Sequence, residues 1–306
     1  MLVHTVGIYT YGMVMMKKKP DVNKIAAYFD VSPVRAYRAS DLAALQVENA
    51  ETWKVPLRMG SRKFLAWLLE NTQLRELTLK SPSYSSLVRY AWGANASALS
   101  VALSVKSSTF CSHGTALWLH GLGGTMKDIF VNAEQSEKSS DRQPLTQDAI
   151  HRAFRNKQRT SNLVYLFENA RITVVNGKHT GRLEVAPAKA SSGELVEVTS
   201  MERTLIDAAV RPSYAHGVAA VLRAFNLARG RISVTRLCEV LKKMDYTYPY
   251  HQAIGLYLKL AGYPPRDLLI PAHIPKKFEF YLCHGIKDPA FDTEWKVFFP
   301  RGLTLQ

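Results

Sequence analysis

Cysteine is scarce in this chain, and so are the patterns that announce particular chemistries. Three cysteines stand among 306 residues, Cys111, Cys238 and Cys283. Their odd number, wide separation and lack of a C-x-x-C pair argue against a disulfide framework and a zinc site, and fit a reducing cytosol. No apolar run reaches the roughly 18 residues a membrane span needs. There is no G-x-S-x-G nucleophile elbow, no G-x-x-x-x-G-K-[ST] phosphate loop, and no H-x-x-x-H or H-E-x-x-H pair. Without the elbow, the "LHGLGGT" run from Leu119 reads as a helix end and turn rather than an oxyanion loop. Negative charge is also short, with 25 acidic residues against 40 Lys and Arg, a net of +15. A surface that basic attracts polyanions, nucleic acid above all.

What the chain does have is a large apolar share, 47%, and many aromatics. It is therefore a globular chain, long enough for two domains or one large one. The N-terminal "IYTYGMVMMKKK" carries its cations after the apolar stretch, the reverse of a secretory signal. Residues 1–15 read as a non-native or disordered extension, and Met16 as the natural start.

The spacing predicts a helix from Val22, with Ile25, Ala26 and Phe29 on one face. A second follows from Ser40 as N-cap, with Leu42 and Leu45 inward. A third begins at Ser61, with Phe64, Leu65, Leu68 and Leu69 along one side. "LRELTLKSPSYSSLVRYAWG" then alternates like a two-stranded hairpin around a Ser/Pro turn. Three helices and a hairpin are the order of a winged helix, expected over 16–93. Its third helix would enter a major groove N-terminus first, bringing Arg58, Ser61, Arg62 and Lys63 to the DNA. The hairpin would lie along the backbone as a wing, with Lys80, Ser83, Tyr84 and Arg89 as its contacts. The competing reading is that these are ordinary solvated cations.

Residues 94–306 are expected to form a larger mixed α/β domain, making the fold class α+β. Strands are read at "DIFVN", at "ARITVVNGKHTGRLEVAP" as two strands joined by a glycine-bearing turn, at "GELVEVTS" and near the C-terminus. Helices are read at 199–210, 217–229, 234–244 and 249–261. Between His151 and Lys189 eight cations face two carboxylates. Arg152, Arg155, Lys157 and Arg159 open that basic patch, which could track a phosphate backbone, RNA included, without reading bases.

Thr199 and Glu202 form a T-x-x-E capping box for a strongly apolar helix, which Pro212 halts. Arg203 and Asp207 are spaced i, i+4 within it. A buried Arg has to be paired, so the pair reads as an internal tie rather than an active site. Tyr246, Tyr248, Tyr250 and His251 bunch just before and at the start of a later helix and read as core aromatics with wet hydroxyl ends, the competing reading being a contact surface for a partner. "DPAFDTEWK" holds Glu294-x-Lys296, a weak match to metal-dependent nucleases. It supplies the alternative: a nucleic-acid-processing enzyme using Glu294 and Lys296 with a metal.

Several blocks together, "SHGTALWLHGL", "LTQDAIHRAFRNKQRTS", "VTSMERTLIDAAVRPSYAHGV", "LKKMDYTYPYHQAIGLYL" and "EWKVFFPRGL", resemble AbiEi-type antitoxins of type IV toxin–antitoxin systems. The resemblance covers most of Met16 to Leu303. It implies a cytoplasmic, non-catalytic protein without a cofactor. Its N-terminal winged helix would repress its own operon at promoter inverted repeats. Its C-terminal domain, with Arg203, Asp207, Tyr250 and His251 as structural or antitoxin residues, would counter a nucleotidyltransferase-like toxin without a stable complex. The resemblance also implies a role in phage defence by abortive infection, and no membrane partner.

Overall fold

The computed structural model describes residues 19–94, 96–137, 143–190 and 193–305. The expected extension over 1–15, and the start at Met16, lie outside the described residues. The chain divides into two compact units. The smaller comprises the described residues up to Ser32 together with Ala39–Leu74; the larger comprises Pro33–Arg38 and Arg75 onward.

The smaller unit is three helices, α1 (Val22–Val31), α2 (Ala39–Glu48) and α3 (Ser61–Asn71). Asp21 caps α1 by accepting from the Lys24 amide at 3.3 Å. α2 starts one residue before the expected cap. Trp53 is buried in a column of rings, with its centroid 6.0 Å from those of both Phe29 and Phe64. Ile25, Leu42 and Leu68 complete that core. Phe64 and Leu68 thus face inward as the spacing predicts, which turns the opposite side of α3 outward.

The larger unit is built on a mixed six-stranded sheet of order β6-β7-β5-β4-β9-β8. Its strands are β4 (Phe110–Cys111), β5 (Asp128–Glu134), β6 (Val164–Phe167), β7 (Ala170–Gly177), β8 (Val185–Lys189) and β9 (Leu195–Thr199). β5 runs parallel to β7, and β4 to β9; the remaining pairs are antiparallel. The two strands expected to be joined across the "NGKHTG" turn, β7 and β8, do not pair. β8 lies against β9 at the far edge, with Ala186 opposite Val198.

A three-stranded sheet of order β1-β3-β2 contains β1 (Ala36–Tyr37), β2 (Leu74–Leu79) and β3 (Leu87–Trp92). Here the expected 16–93 domain departs from the structure. Leu77, Leu79 and Ala91 pack into the core of the six-stranded sheet. Lys80 and Leu166 also exchange backbone hydrogen bonds, 3.1 and 2.7 Å. The hairpin therefore belongs to the larger unit, and the boundary falls near Leu74 rather than after Gly93.

The helices of the larger unit are α4 (Ala98–Leu103), α5 (His113–Leu119), α6 (Gln147–Arg155), α7 (Met201–Val210), α8 (Val218–Leu227), α9 (Val234–Met244), α10 (Tyr250–Leu260) and α11 (Pro265–Ala272). α7 to α10 share a second core with Phe154, Phe280 and Trp295. A last small sheet, β10 (Phe280–Tyr281), β12 (Val297–Pro300) and β11 (Pro289–Asp292), is held to α10 by Gln252. The Gln252 amide donates to the carbonyls of Phe278 and Trp295, both at 2.8 Å. α5 ends in the "GLGG" turn, where Gly124 adopts φ +94° and a Cβ would sit 2.6 Å from the Gly114 carbonyl oxygen. Only glycine fits there. Among the described residues, no helix is long and apolar enough to cross a membrane.

Candidate nucleic-acid interface and basic cleft

α3 begins without a side-chain cap: Gly60 stands at the N-cap and no acid occupies the first turn. Its leading N–H groups are thus open to an outside acceptor, and the helix dipole favours an anion there. Arg58, Ser61, Arg62 and Lys63 are all exposed. With Gly60 they line a shallow hollow of about 370 Å³. Among the described residues no carboxylate pairs with Arg58, Arg62 or Lys63.

In the larger unit, Lys80, Ser83 and Tyr84 are exposed on the β2–β3 loop. Ser81 shapes the loop tip by accepting from the amides of Ser83 and Tyr84, at 3.4 and 3.2 Å. Arg89 is not a surface contact. It is buried, and its guanidinium donates to the carbonyls of Ser104, Val105 and Val88 at 2.7, 2.6 and 2.5 Å. A guanidinium so engaged ties β3 to the end of α4 and cannot reach a phosphate.

α7 starts one residue later than the capping box predicts. Thr199 closes β9, and its hydroxyl shares a hydrogen bond with Thr204 at 2.7 Å. Ser200 is the cap instead, accepting from the Arg203 amide at 3.3 Å. Glu202 accepts from the Ser233 amide, 3.2 Å away, and so fastens α7 to the start of α9. Arg203 and Asp207 are both nearly fully buried, 2% and 3% exposed. Arg203 Nε donates to Asp207 Oδ1 at 2.9 Å; its terminal nitrogen donates to the Leu183 carbonyl at 2.9 Å and Thr180 Oγ1 at 3.2 Å. The pair is the expected tie, joining α7 to the β7–β8 connection. It is incomplete on one side: Asp207 Oδ2 is buried and has no hydrogen-bond partner among the described residues.

Asp207 is one of the residues that line a cavity of about 1030 Å³, built from segments far apart in sequence. Of the expected basic patch, Arg152, Lys157 and Arg159 line it, while Arg155 lies outside. Tyr250 lines it too, with Tyr246 and Tyr248, but His251 does not. Lys178, Arg211 and Lys243 add further cations, and Glu137 and Asp245 are the remaining carboxylates. Burial, with the Asp207 carboxylate nearby, raises the Tyr246 phenol well above its usual range; burial does the same to Tyr250. Burial pushes His113, which also lines the cavity, down to about 4, so its ring is neutral at pH 7. Its Nδ1 is 2.8 Å from Ser112 Oγ. Just behind, Glu134 accepts from the amides of Thr180 and Arg182 at 3.1 and 3.2 Å and from the Thr180 hydroxyl. Burial opposes its charge, but these bonds prevail and hold the carboxyl below its usual range.

The acids of the nuclease-like stretch are taken up in ion pairs. Asp292 and Glu294 both pair with Lys259, at 2.7 and 2.8 Å, and Asp288 pairs with Arg301 at 3.1 Å. Lys296 serves through its backbone, accepting from the Phe280 amide at 2.8 Å. All three cysteines are free thiols, and burial pushes Cys238 and Cys283 up to about 11.

Fold and site together define a two-unit α+β protein with a cation-fronted helix and a separate basic cleft. No family model and no curated protein matches the chain. Among solved structures it is similar to the RV2827C protein from Mycobacterium tuberculosis, with 13% identity, 91% of this chain and 90% of that chain covered, and a TM-score of 0.50. At that identity the likeness concerns the fold alone.

Proposed function

We propose that this protein is a cytoplasmic, sequence-specific DNA-binding repressor of its own operon and the antitoxin of a type IV toxin–antitoxin system. The observation that supports DNA binding is the uncapped N-terminus of α3, fronted by Arg58, Ser61, Arg62 and Lys63, with its apolar side turned into the core. In this reading α3 enters the major groove of promoter inverted repeats. The antitoxin role rests on the resemblance of the C-terminal blocks to AbiEi-type proteins. The larger unit then counters a nucleotidyltransferase-like toxin without a stable complex and without catalysis of its own. The pairing of Asp288, Asp292 and Glu294 with Arg301 and Lys259 counts against the nuclease alternative.

A gel shift on the DNA upstream of the protein's own gene tests the reading. Wild-type protein retards the fragment, and the Arg62→Ala/Lys63→Ala double variant does not. Equal retardation by a folded double variant rejects α3 as the reading element.

A further inference from the structure

The cleft of the larger unit carries chemistry that duplex binding by α3 leaves unused. Arg152, Lys157, Arg159, Arg211 and Lys243 all border one concavity, and none is paired with a carboxylate among the described residues. Bringing like charges together costs free energy that a bound polyanion relieves. On the inner wall Asp207 makes the opposite demand. Its Oδ1 is taken by Arg203, while its Oδ2 is buried and lacks a donor among the described residues. A buried carboxylate oxygen without a donor is costly, and a ligand N–H or O–H would satisfy it. The same cavity is walled by Tyr246, Tyr248 and Tyr250. Tyr248 is half-buried, and its ring packs with Phe154, Tyr250 and Phe280 into an aromatic wall.

We propose that this cleft binds a nucleoside phosphate, with the phosphates on the rim cations, a ribose hydroxyl or base N–H on Asp207 Oδ2, and the base against the tyrosine wall. Three separate demands select that class. Inorganic phosphate answers the cations alone. A neutral nucleoside answers only Asp207 and the rings. A nucleoside phosphate answers all of them. The cavity, about 1030 Å³, is at the upper end of the roughly 300–1,000 Å³ range of small-molecule sites. It is large enough for a mono- or dinucleotide and far too small for a duplex. The arrangement divides the basic segment: Arg152 and Arg159 hold phosphate, while Arg155 does not line the cavity.

The test is calorimetric titration of the full chain with ATP, GTP, CTP and UTP, beside inorganic tripolyphosphate and a single-stranded oligonucleotide. All are repeated on Arg62→Ala/Lys63→Ala protein, which lacks the α3 cations, and on Arg152→Gln/Arg159→Gln protein. The rim residues are exposed, so the latter variant keeps the wild-type Tm. At least one nucleotide should bind wild type and the α3 variant equally and bind more tightly than tripolyphosphate. The rim variant should lose about a hundredfold or more in affinity for it, since it removes two charge-assisted contacts. Arg155→Gln should bind like wild type. Three outcomes overturn the proposal: no nucleotide binds; tripolyphosphate binds as tightly as every nucleotide; or only the oligonucleotide binds. Loss of binding in the α3 variant, with the rim variant intact, also overturns it and leaves the DNA reading standing.

Discussion

Replacing Arg203 with Met should destabilise the larger unit by about 3–5 kcal/mol, the usual cost of breaking a buried ion pair from one side. The structure shows where that figure comes from. The guanidinium is 2% exposed and makes three hydrogen bonds, to Asp207 Oδ1, the Leu183 carbonyl and Thr180 Oγ1. Loss of the two neutral contacts accounts for about 2 kcal/mol. The remainder is Asp207, which would be left as a buried carboxylate with a donor on neither oxygen. For a unit of this size each kcal/mol lowers Tm by about 2–4 °C, so the melting point should fall by about 10 °C. Urea unfolding followed by circular dichroism, with the m-value checked for constancy, gives the free energy. Met at 203 combined with Leu at 207 should recover much of the loss, because apolar replacement of both members removes the stranded charge. The reasoning is refuted if Arg203→Met costs less than about 1 kcal/mol, or if the double variant is no more stable than the single one.

Gly255→Ala should destabilise by about 1–3 kcal/mol or more, because the new Cβ would lie 2.1 Å from the ring of the fully buried Trp295; thermal unfolding reads this directly. His113 and His251 are both held down to about 4, chiefly by burial, whereas the unfolded chain takes up its protons near 6.5. The folded state therefore refuses protons that the unfolded state binds. Stability from this source is complete above about pH 6.5 and is lost as pH falls towards 4, at up to about 1.4 kcal/mol per pH unit for each ring. His113 has φ +49°, which Asn tolerates, so His113→Asn should flatten the curve between pH 6.5 and 4; an unchanged slope by urea unfolding contradicts the assignment.

Local signals in the sequence translated well into structure, and long-range ones did not. α9 lies at Val234–Met244 as its apolar spacing indicates, because Val234, Leu237, Cys238 and Leu241 recur on one face. The tie between Arg203 and Asp207 was legible too, since a helix that apolar leaves a guanidinium nowhere to go but a partner. The pairing of β8 with β9 was not: a turn rich in glycine suggests a hairpin, yet nothing local states that β5 claims the other side of β7. α11 was missed because Pro271 sits inside it, and proline there argues against a helix. The basic patch was visible as composition, but the periodicity of a nine-residue helix does not reveal that Arg152 faces a cavity and Arg155 does not. Arg211 and Lys243 enter that cavity from separate helix ends, and no spacing rule connects them. Arg89 misled for a related reason. Its exposure depended on what β3 packs against, and the Ser104 and Val105 carbonyls that capture it lie beyond the hairpin.

The central claim, that α3 meets DNA through Arg62 and Lys63, is tested most directly by the salt dependence of binding to the protein's own upstream sequence. Fluorescence anisotropy titrations at several salt concentrations give the slope of log K against log salt, which falls by about one for each phosphate contact removed. The account predicts that Arg62→Ala and Lys63→Ala each flatten that slope by about one, together with a loss of affinity. A double variant with the wild-type slope and affinity contradicts it.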